Sequence, residues 1–222
     1  MKWNRLILLV VLILFVIFAD ICCSSKDIIE DDIIKSIKDL DNKEWPERVN
    51  AMFRLESLGK QMNAAVPKLI SALNDDNVEV RRNAAEALGA MGKGSEIVRA
   101  LGSVLKLEDN DNVRIAASRS LSEIGFDSKE VLDQLLESIN DRNWWVRVYV
   151  IGALGKIGPE PGVVEALISA LDDGGGAVGR AASESLKLFG KAAKPAVGKL
   201  RALGYDDAAD SIEHDAEFSN EH

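Results

Sequence analysis

An all-α solenoid of stacked helical hairpins is the fold class this sequence predicts, and three observations predict it. A Leu-x-x-x-Gly phrase recurs as Leu55 to Gly59, Leu88 to Gly92, Leu121 to Gly125, Leu154 to Gly158 and Leu186 to Gly190, at intervals of 33, 33, 33 and 32 residues. A period of roughly 20 to 50 residues is the mark of an array of supersecondary units that bury their apolar faces on one another. Within each period, apolar residues return at i, i+3, i+4 and i+7, the spacing of one helix face. Glycine closes the first apolar run of every period, as expected where a helix stops and the chain reverses.

The N-terminus comes before the array and is of another kind. Lys2 and Arg5 precede Leu6 to Ala19, fourteen residues that are all Leu, Val, Ile, Phe or Ala, and Asp20 follows. This is the layout of a secretory signal. Fourteen helical residues reach about 21 Å against a hydrocarbon core of roughly 30 Å, and extension through Cys23 reaches about 27 Å. Residues 1–25 are therefore read as a signal peptide or membrane anchor, with the span 6–23 as the membrane contact if it is not cleaved. Ile17 and Ala19 fit the small-residue positions before a cut only imperfectly. Cys22 and Cys23, the only cysteines, add a third reading, lipidation at one of them, on a weak motif fit. Each of these places the body outside the cytoplasm or at the cell envelope.

The repeat region is expected over 26–204. Ile33, Ile34, Ile37 and Leu40 form a half repeat at 28–42 that caps the open end. Repeat one, 44–74, opens at Trp45-Pro46, with proline where a first turn needs no N–H, and its second helix carries Val66, Leu69, Ile70 and Leu73. Repeat two, 77–107, carries Val80, Ala84, Leu88 and Met91, then Val98, Leu101 and Leu105. Repeat three, 110–140, carries Val113, Ala117, Leu121 and Ile124, then Leu132, Leu135, Leu136 and Ile139. Repeat four, 143–172, carries Val146, Val150, Leu154 and Ile157, then Val164, Leu167, Ile168 and Leu171. Repeat five, 176–204, carries Val178, Ala182, Leu186 and Phe189, then Ala196, Leu200 and Leu203. Residues 205–222 are highly charged and poor in apolar side chains, and read as a frayed acidic tail with one helical turn around Ala208 to Ile212.

The phrases DNVEVRRNAAEALGAMG, DNVRIAASRSLSEIG and NWWVRVYVIGALGKIG resemble the short HEAT-like repeats of the phycobilin lyase type. The resemblance implies a right-handed superhelix of antiparallel hairpins whose second helices line a concave, partner-binding face. It also implies a structural ladder between successive hairpins, made by the acids Asp75, Glu108, Asp141 and Asp173 and by Arg81, Arg114 and Arg147, six residues after the first three acids. Arginine suits such bridging because its planar fork has several fixed donors. Repeat five departs from the pattern, with Gly179 in the arginine position, Arg180 one residue on, and Gly174-Gly175-Gly176 before its first helix. A junction with that much glycine is expected to be the most flexible of the array.

Composition excludes most chemistry. Lys and Arg number 27 against 36 Asp and Glu, for a net charge of −9, and dropping 1–25 removes Lys2, Arg5 and Asp20. Nucleic acid binding needs a concentrated basic surface and is not expected. His214 and His222, the only histidines, lie in the tail, so neither the His-Glu iron motifs of the related deoxyhypusine hydroxylases nor a nucleophile and base pair can be assembled. Glu108 to Asn112 crowds oxygen ligands but lacks the glycine and distant glutamate of an EF-hand, and helix capping accounts for it. No cofactor, metal or small-molecule ligand is expected.

What remains is a non-enzymatic scaffold or adaptor for a protein partner. Trp145 stands where other repeats carry Glu79 and Asn112, which marks it as a contact anchor, with Arg142 and Tyr149 near enough to join. Trp144, which shares its position with Trp45 and Val78, is expected to cover the seam. On the second helices Arg99, Asp133, Glu137 and Glu165, with Lys68, Lys199 and Arg201, lie off the apolar stripe, basic toward the ends and acidic in the middle. Two alternatives stay open: a bilin lyase-like enzyme subunit, and a structural spacer of the envelope.

Overall fold

The structure, a computed structural model, describes residues 31–58, 63–92, 94–173 and 176–218. The expected signal or anchor at 1–25, with both cysteines, lies outside the described residues, as do Gly59, Gly174, Gly175 and His222. Among the described residues every regular element is helical, and no helix is long and apolar enough to cross a membrane. The chain forms two compact units that divide between Ala65 and Val66.

The first unit holds α1, described over 31–39, α2 (Trp45–Leu58) and a short 3-10 turn at 63–65. Ser36, Leu40, Ala51, Met52 and Leu55 are buried. Arg54 joins α2 to α1, donating from Nε to Ser36 Oγ at 3.2 Å and pairing with Asp39 at 2.6 Å.

The second unit carries α3 (Val66–Ala72), α4 (Val78–Met91), α5 (Ser95–Leu107), α6 (Asp111–Ile124), α7 (Leu132–Ser138), α8 (Trp144–Ile157), α9 (Val163–Ala170), α10 (Ala177–Leu188), α11 (Val197–Ala202) and α12 (Asp206–Phe218). Two 3-10 segments, Gly125–Val131 and Gly190–Ala196, lead into α7 and α11. The first helices α4, α6, α8 and α10 pack each on the next, and the second helices form the other layer.

Each first helix starts and stops for a local reason. Asn77, Asn110 and Asn143 cap α4, α6 and α8, their side-chain oxygens accepting the N–H of Glu79, Asn112 and Trp145 at 2.9 Å. Such a cap replaces a hydrogen bond that the first turn lacks. The repeated glycine ends the helix at positive φ, 81° at Gly92, 74° at Gly125 and 104° at Gly158, where an L side chain would be strained. The leucine four residues earlier is fully buried in α4, α6, α8 and α10, as Leu88, Leu121, Leu154 and Leu186. Each such burial stabilises the fold by roughly 1.5–3 kcal/mol.

Small residues set how closely first helices approach. Ser120 of α6 is buried and donates to the Ala85 carbonyl of α4 at 2.9 Å. A Cβ on Gly89 would stand 2.2 Å from Ser120 Oγ. The α8–α10 seam repeats this one repeat pair later, with Ser185 donating to the Ile151 carbonyl at 3.4 Å and a Cβ on Gly155 falling 2.5 Å from Ser185 Oγ.

Two expectations are corrected. The segment after Gly204 is no frayed tail with a single turn: α12 spans thirteen residues and packs on α10, α11 and the 3-10 segment before α11, burying Ala208, Ala209 and Ile212. Three apolar residues in i, i+1, i+4 register are enough to seat a helix whose outward face is charged. Leu203, assigned to an apolar stripe, is 45% exposed, because α11 ends at Ala202.

Gly89→Ala is expected to lower stability by about 1–3 kcal/mol, the usual cost of forcing a side chain into a closed seam. Gly198→Ala, in α11 where nothing lies within 4 Å of the new Cβ, is expected to be neutral or slightly stabilising. Urea unfolding of the two variants checks both.

Candidate interaction surfaces

The expected charge ladder is present, and each rung is built alike. Arg114 donates to Asp141 through Nε at 2.8 Å and Nη2 at 3.0 Å, and its Nη1 reaches the carbonyls of Glu108 and Asp109. Arg81 does the same with Glu108, at 2.8 and 3.1 Å, and with the carbonyls of Asp75 and Asp76. Arg147 pairs with Asp173 at 2.6 Å and holds the carbonyls of Asp141 and Arg142. Every arginine therefore clips the turn before its own helix to the acid of the next repeat. The acids close their own turns as well: Asp75, Glu108 and Asp141 accept the N–H of Asn77, Asn110 and Asn143 at 2.8–2.9 Å.

Sequence reading missed one member of this set. Arg48, 33 residues before Arg81, donates from Nη1 to the carbonyls of Asn42 and Lys43 at 2.8 and 3.1 Å. Asn42 takes the acid's position and accepts the N–H of Glu44. The repeat period was the signal that could have found it. At the other end Arg180 does not replace the missing rung. Its helix turns it outward, while the ring of Tyr205 fills the space at Gly179, whose added Cβ would meet Tyr205 Oη at 2.6 Å.

The oxygen-rich loop at Glu108 to Asn112 is consumed by these contacts. Glu108 is held by Arg81, and Asp111 by Arg114 at 2.9 Å, Arg142 at 3.0 Å and the Asn143 amide at 3.1 Å. Burial acts to raise the Glu108 carboxyl, but the hydrogen bonds from Arg81 and the Asn110 N–H and the nearby arginine charges outweigh it, and its pKa lies below the ordinary glutamate value. Asp111 is lowered as well, first by the hydrogen bond from Asn143 and then by Arg114 and Arg142.

The residues singled out as partner contacts fall on two different helix layers. Arg99, Asp133, Glu137 and Glu165 lie exposed on the second helices α5, α7 and α9. There the cations are already answered: Arg99 pairs with Glu130, Lys106 with Glu137 at 3.4 Å, Lys199 with Asp172 at 2.6 Å, and Arg201 with Asp210 and Glu213. Asp133 and Glu165 have no ion-pair partner among the described residues. They occupy matching places, two residues before the buried Leu135 and Leu167. The pattern of basic ends around an acidic middle is thus altered, because internal pairing answers Arg99, Lys199, Arg201 and Glu137 and leaves Asp133 and Glu165.

Trp145 and Tyr149 belong instead to the first helix α8. The Trp145 ring stacks on Trp144 with centroids 4.1 Å apart and on Tyr149 at 6.0 Å. Trp144 does not simply cover the seam: both tryptophans remain more than two-fifths exposed. Arg142 is turned from the stack toward repeat three, where it bonds Asp111 and the Asp109 carbonyl.

Hairpins layered in this way and clipped by arginine rungs make the chain an α-helical repeat protein. More narrowly, it belongs to the HEAT repeat family, whose profile matches at 35–122, 66–141, 98–187 and 132–219. A designed armadillo repeat protein in complex with the peptide (KR)4 superposes with a TM-score of 0.62 at 19% identity, over 82% of this chain and 98% of that one. The complex of CpcE and CpcF of phycocyanin lyase from Nostoc sp. PCC7120 gives 0.55 at 21% identity, over 69% and 96%. An engineered protein gives 0.59 at 19%, over 84% and 94%. No curated protein matches the chain in sequence.

Arg114→Ala is expected to cost about 3 kcal/mol, since it strands Asp141 at a rung whose side chains are 5% and 10% exposed. Arg147→Ala is expected to cost less, at a rung that is 19% and 34% exposed. A carboxylate with a lowered folded pKa stabilises fully above its unfolded pKa and loses that contribution as pH falls through the folded value. The melting temperature is therefore expected to drop as pH falls below about 4, with a shallower drop in Glu108→Gln. Thermal unfolding across pH 2–7 measures all three.

Proposed function

We propose that this protein is a non-enzymatic scaffold that binds a protein partner along its second helices. The observation that carries the reading is the pair of unanswered carboxylates, Asp133 and Glu165, at matching places on α7 and α9. A face whose cations are internally neutralised presents net negative charge, and charge arrangement selects partners and speeds encounter. The partner expected there carries lysine or arginine at the contact. Two supports are the HEAT repeat family itself and the peptide held by the designed armadillo protein of similar fold. A second reading, a subunit of a bilin lyase, is favoured by the resemblance of the repeat phrases to the phycobilin lyase type and by the likeness to the CpcE and CpcF complex.

Full-length protein in mild detergent, used as bait in extract of its native host, tests the first reading. The wild type is expected to recover a protein that Asp133→Lys with Glu165→Lys loses by at least about tenfold, as for truncation of a contact that matters. Equal recovery by both baits would remove the second-helix face from consideration. In the same series a bilin added to the protein should leave its absorption band unshifted, and a shifted band would support the lyase reading instead.

We further propose export or membrane attachment through residues 6–23, supported by the basic residues ahead of the apolar run. Intact mass of the protein isolated from its host is expected to show a loss of residues near 1–25, a lipid adduct, or the whole chain in the membrane fraction. An unmodified full chain in the soluble cytoplasmic fraction would sink the proposal.

A further inference from the structure

The outward row of the first helices changes character along the array. In α4 it is closed by charge: Arg82 is clamped by Glu79 at 2.8 Å and by Glu86 at 3.1 Å. Two repeats on, α8 carries Trp145 in the place of Glu79, Val148 in the place of Arg82 and Gly152 in the place of Glu86. Both acids are gone, and the stack of Trp145 on Tyr149 lies half open to water. Ile115 of α6, the first helix packed against α8, holds the Val148 position and is also half exposed.

Positive charge without a carboxylate borders this surface. Arg180 occupies the Val148 position of α10, which packs directly on α8, and is exposed with no side-chain partner among the described residues. Glu184, one turn on, makes no ion pair with it among the described residues. Lys156, two turns below Val148, donates to the Ser122 carbonyl at 2.6 Å and has no carboxylate partner among the described residues. The second-helix cations are, by contrast, neutralised by acids. In a chain of net charge −9, an apolar stripe with unanswered cations at its edge is a local inversion.

We propose that the outward face of α8, Trp145, Val148 and Tyr149 with Lys156 and Arg180 at its border, docks an amphipathic helix of a partner protein that carries carboxylates beside its apolar stripe. The stripe from Trp145 to Lys156 runs about 16 Å along one helix face, at 1.5 Å per residue. A rigid helical ridge of that length fits a second helix packed at 8–10 Å, and stacked aromatics are common anchors of such contacts. This surface is independent of the second-helix carboxylates and stands whether or not they bind anything.

The test uses full-length protein at 0.15 M salt and two fluorescein-labelled synthetic helices of eighteen residues that share one leucine stripe, flanked by glutamate in one and by lysine in the other. Anisotropy is expected to show the glutamate helix binding, with at least about tenfold loss in Trp145→Ala and in Arg180→Glu and near-complete retention in Arg180→Lys. Asp133→Lys with Glu165→Lys should leave this binding unchanged, which separates its failure from that of the second-helix reading. Circular dichroism confirms that each variant is folded, since Trp145 and Arg180 are solvent-facing. No binding of the glutamate helix, or equal binding by the Trp145→Ala protein, overturns the proposal. Two further outcomes also overturn it: Trp145-dependent sedimentation with phosphatidylserine vesicles, which would assign the face to a membrane, and Trp145-dependent dimerisation, which would assign it to a second copy.

Discussion

The arginine rung is the contact on which the rest of the second unit depends. Each guanidinium ties two turn carbonyls of its own repeat to the carboxylate that opens the next, so one side chain fixes both a local turn and a neighbour's position. Burial of both partners at Arg114 and Asp141 makes that rung costly to break, because removing either member strands a charge away from water. Close approach of the first helices then follows. Gly89 and Gly155 admit the serines of the next first helix only if the register is correct, and the rung holds that register.

Where the rung stops, the array changes construction. Gly179 cannot make one, and the ring of Tyr205 takes the space while α12 covers α10. α12 carries Asp206, Asp207, Asp210 and Glu213 on its outward side, and several of them meet Arg201 and Lys187. Its negative charge is therefore part of how α12 is held on α10 and α11, a role its composition conceals.

Surface charge follows from the same bookkeeping of partners. A basic residue on a second helix finds an acid one repeat away and is lost to the outside. Asp133, Glu165 and Arg180 have no such neighbour among the described residues. On α8 the replacement of two acids by Trp145 and Gly152 removes the ions that would have closed the outward row. Departures from the repeat thus become functional candidates for a physical reason: an unmatched group retains its interaction energy for a partner.

The period, the helix pairs and the ladder were legible in the sequence, because glycine at positive φ, the asparagine cap and the buried leucine are local demands that each repeat must meet for itself. Trp145 was visible as an anomaly by the same register, and Arg48 was available to it although unread. The register could not show which charges are paired between repeats: Arg142 meets Asp111 of repeat three, while Arg180 forms no ion pair among the described residues. Nor could it foresee the length and docking of α12, of which it gave only a turn around Ala208 to Ile212, because three buried residues are too few for a periodic signal and acquire meaning only against the exposed face of α10. Local geometry was determined by the sequence alone; partner assignment at the surface was decided by the tertiary structure, because it depends on distances between repeats that no spacing along the chain specifies.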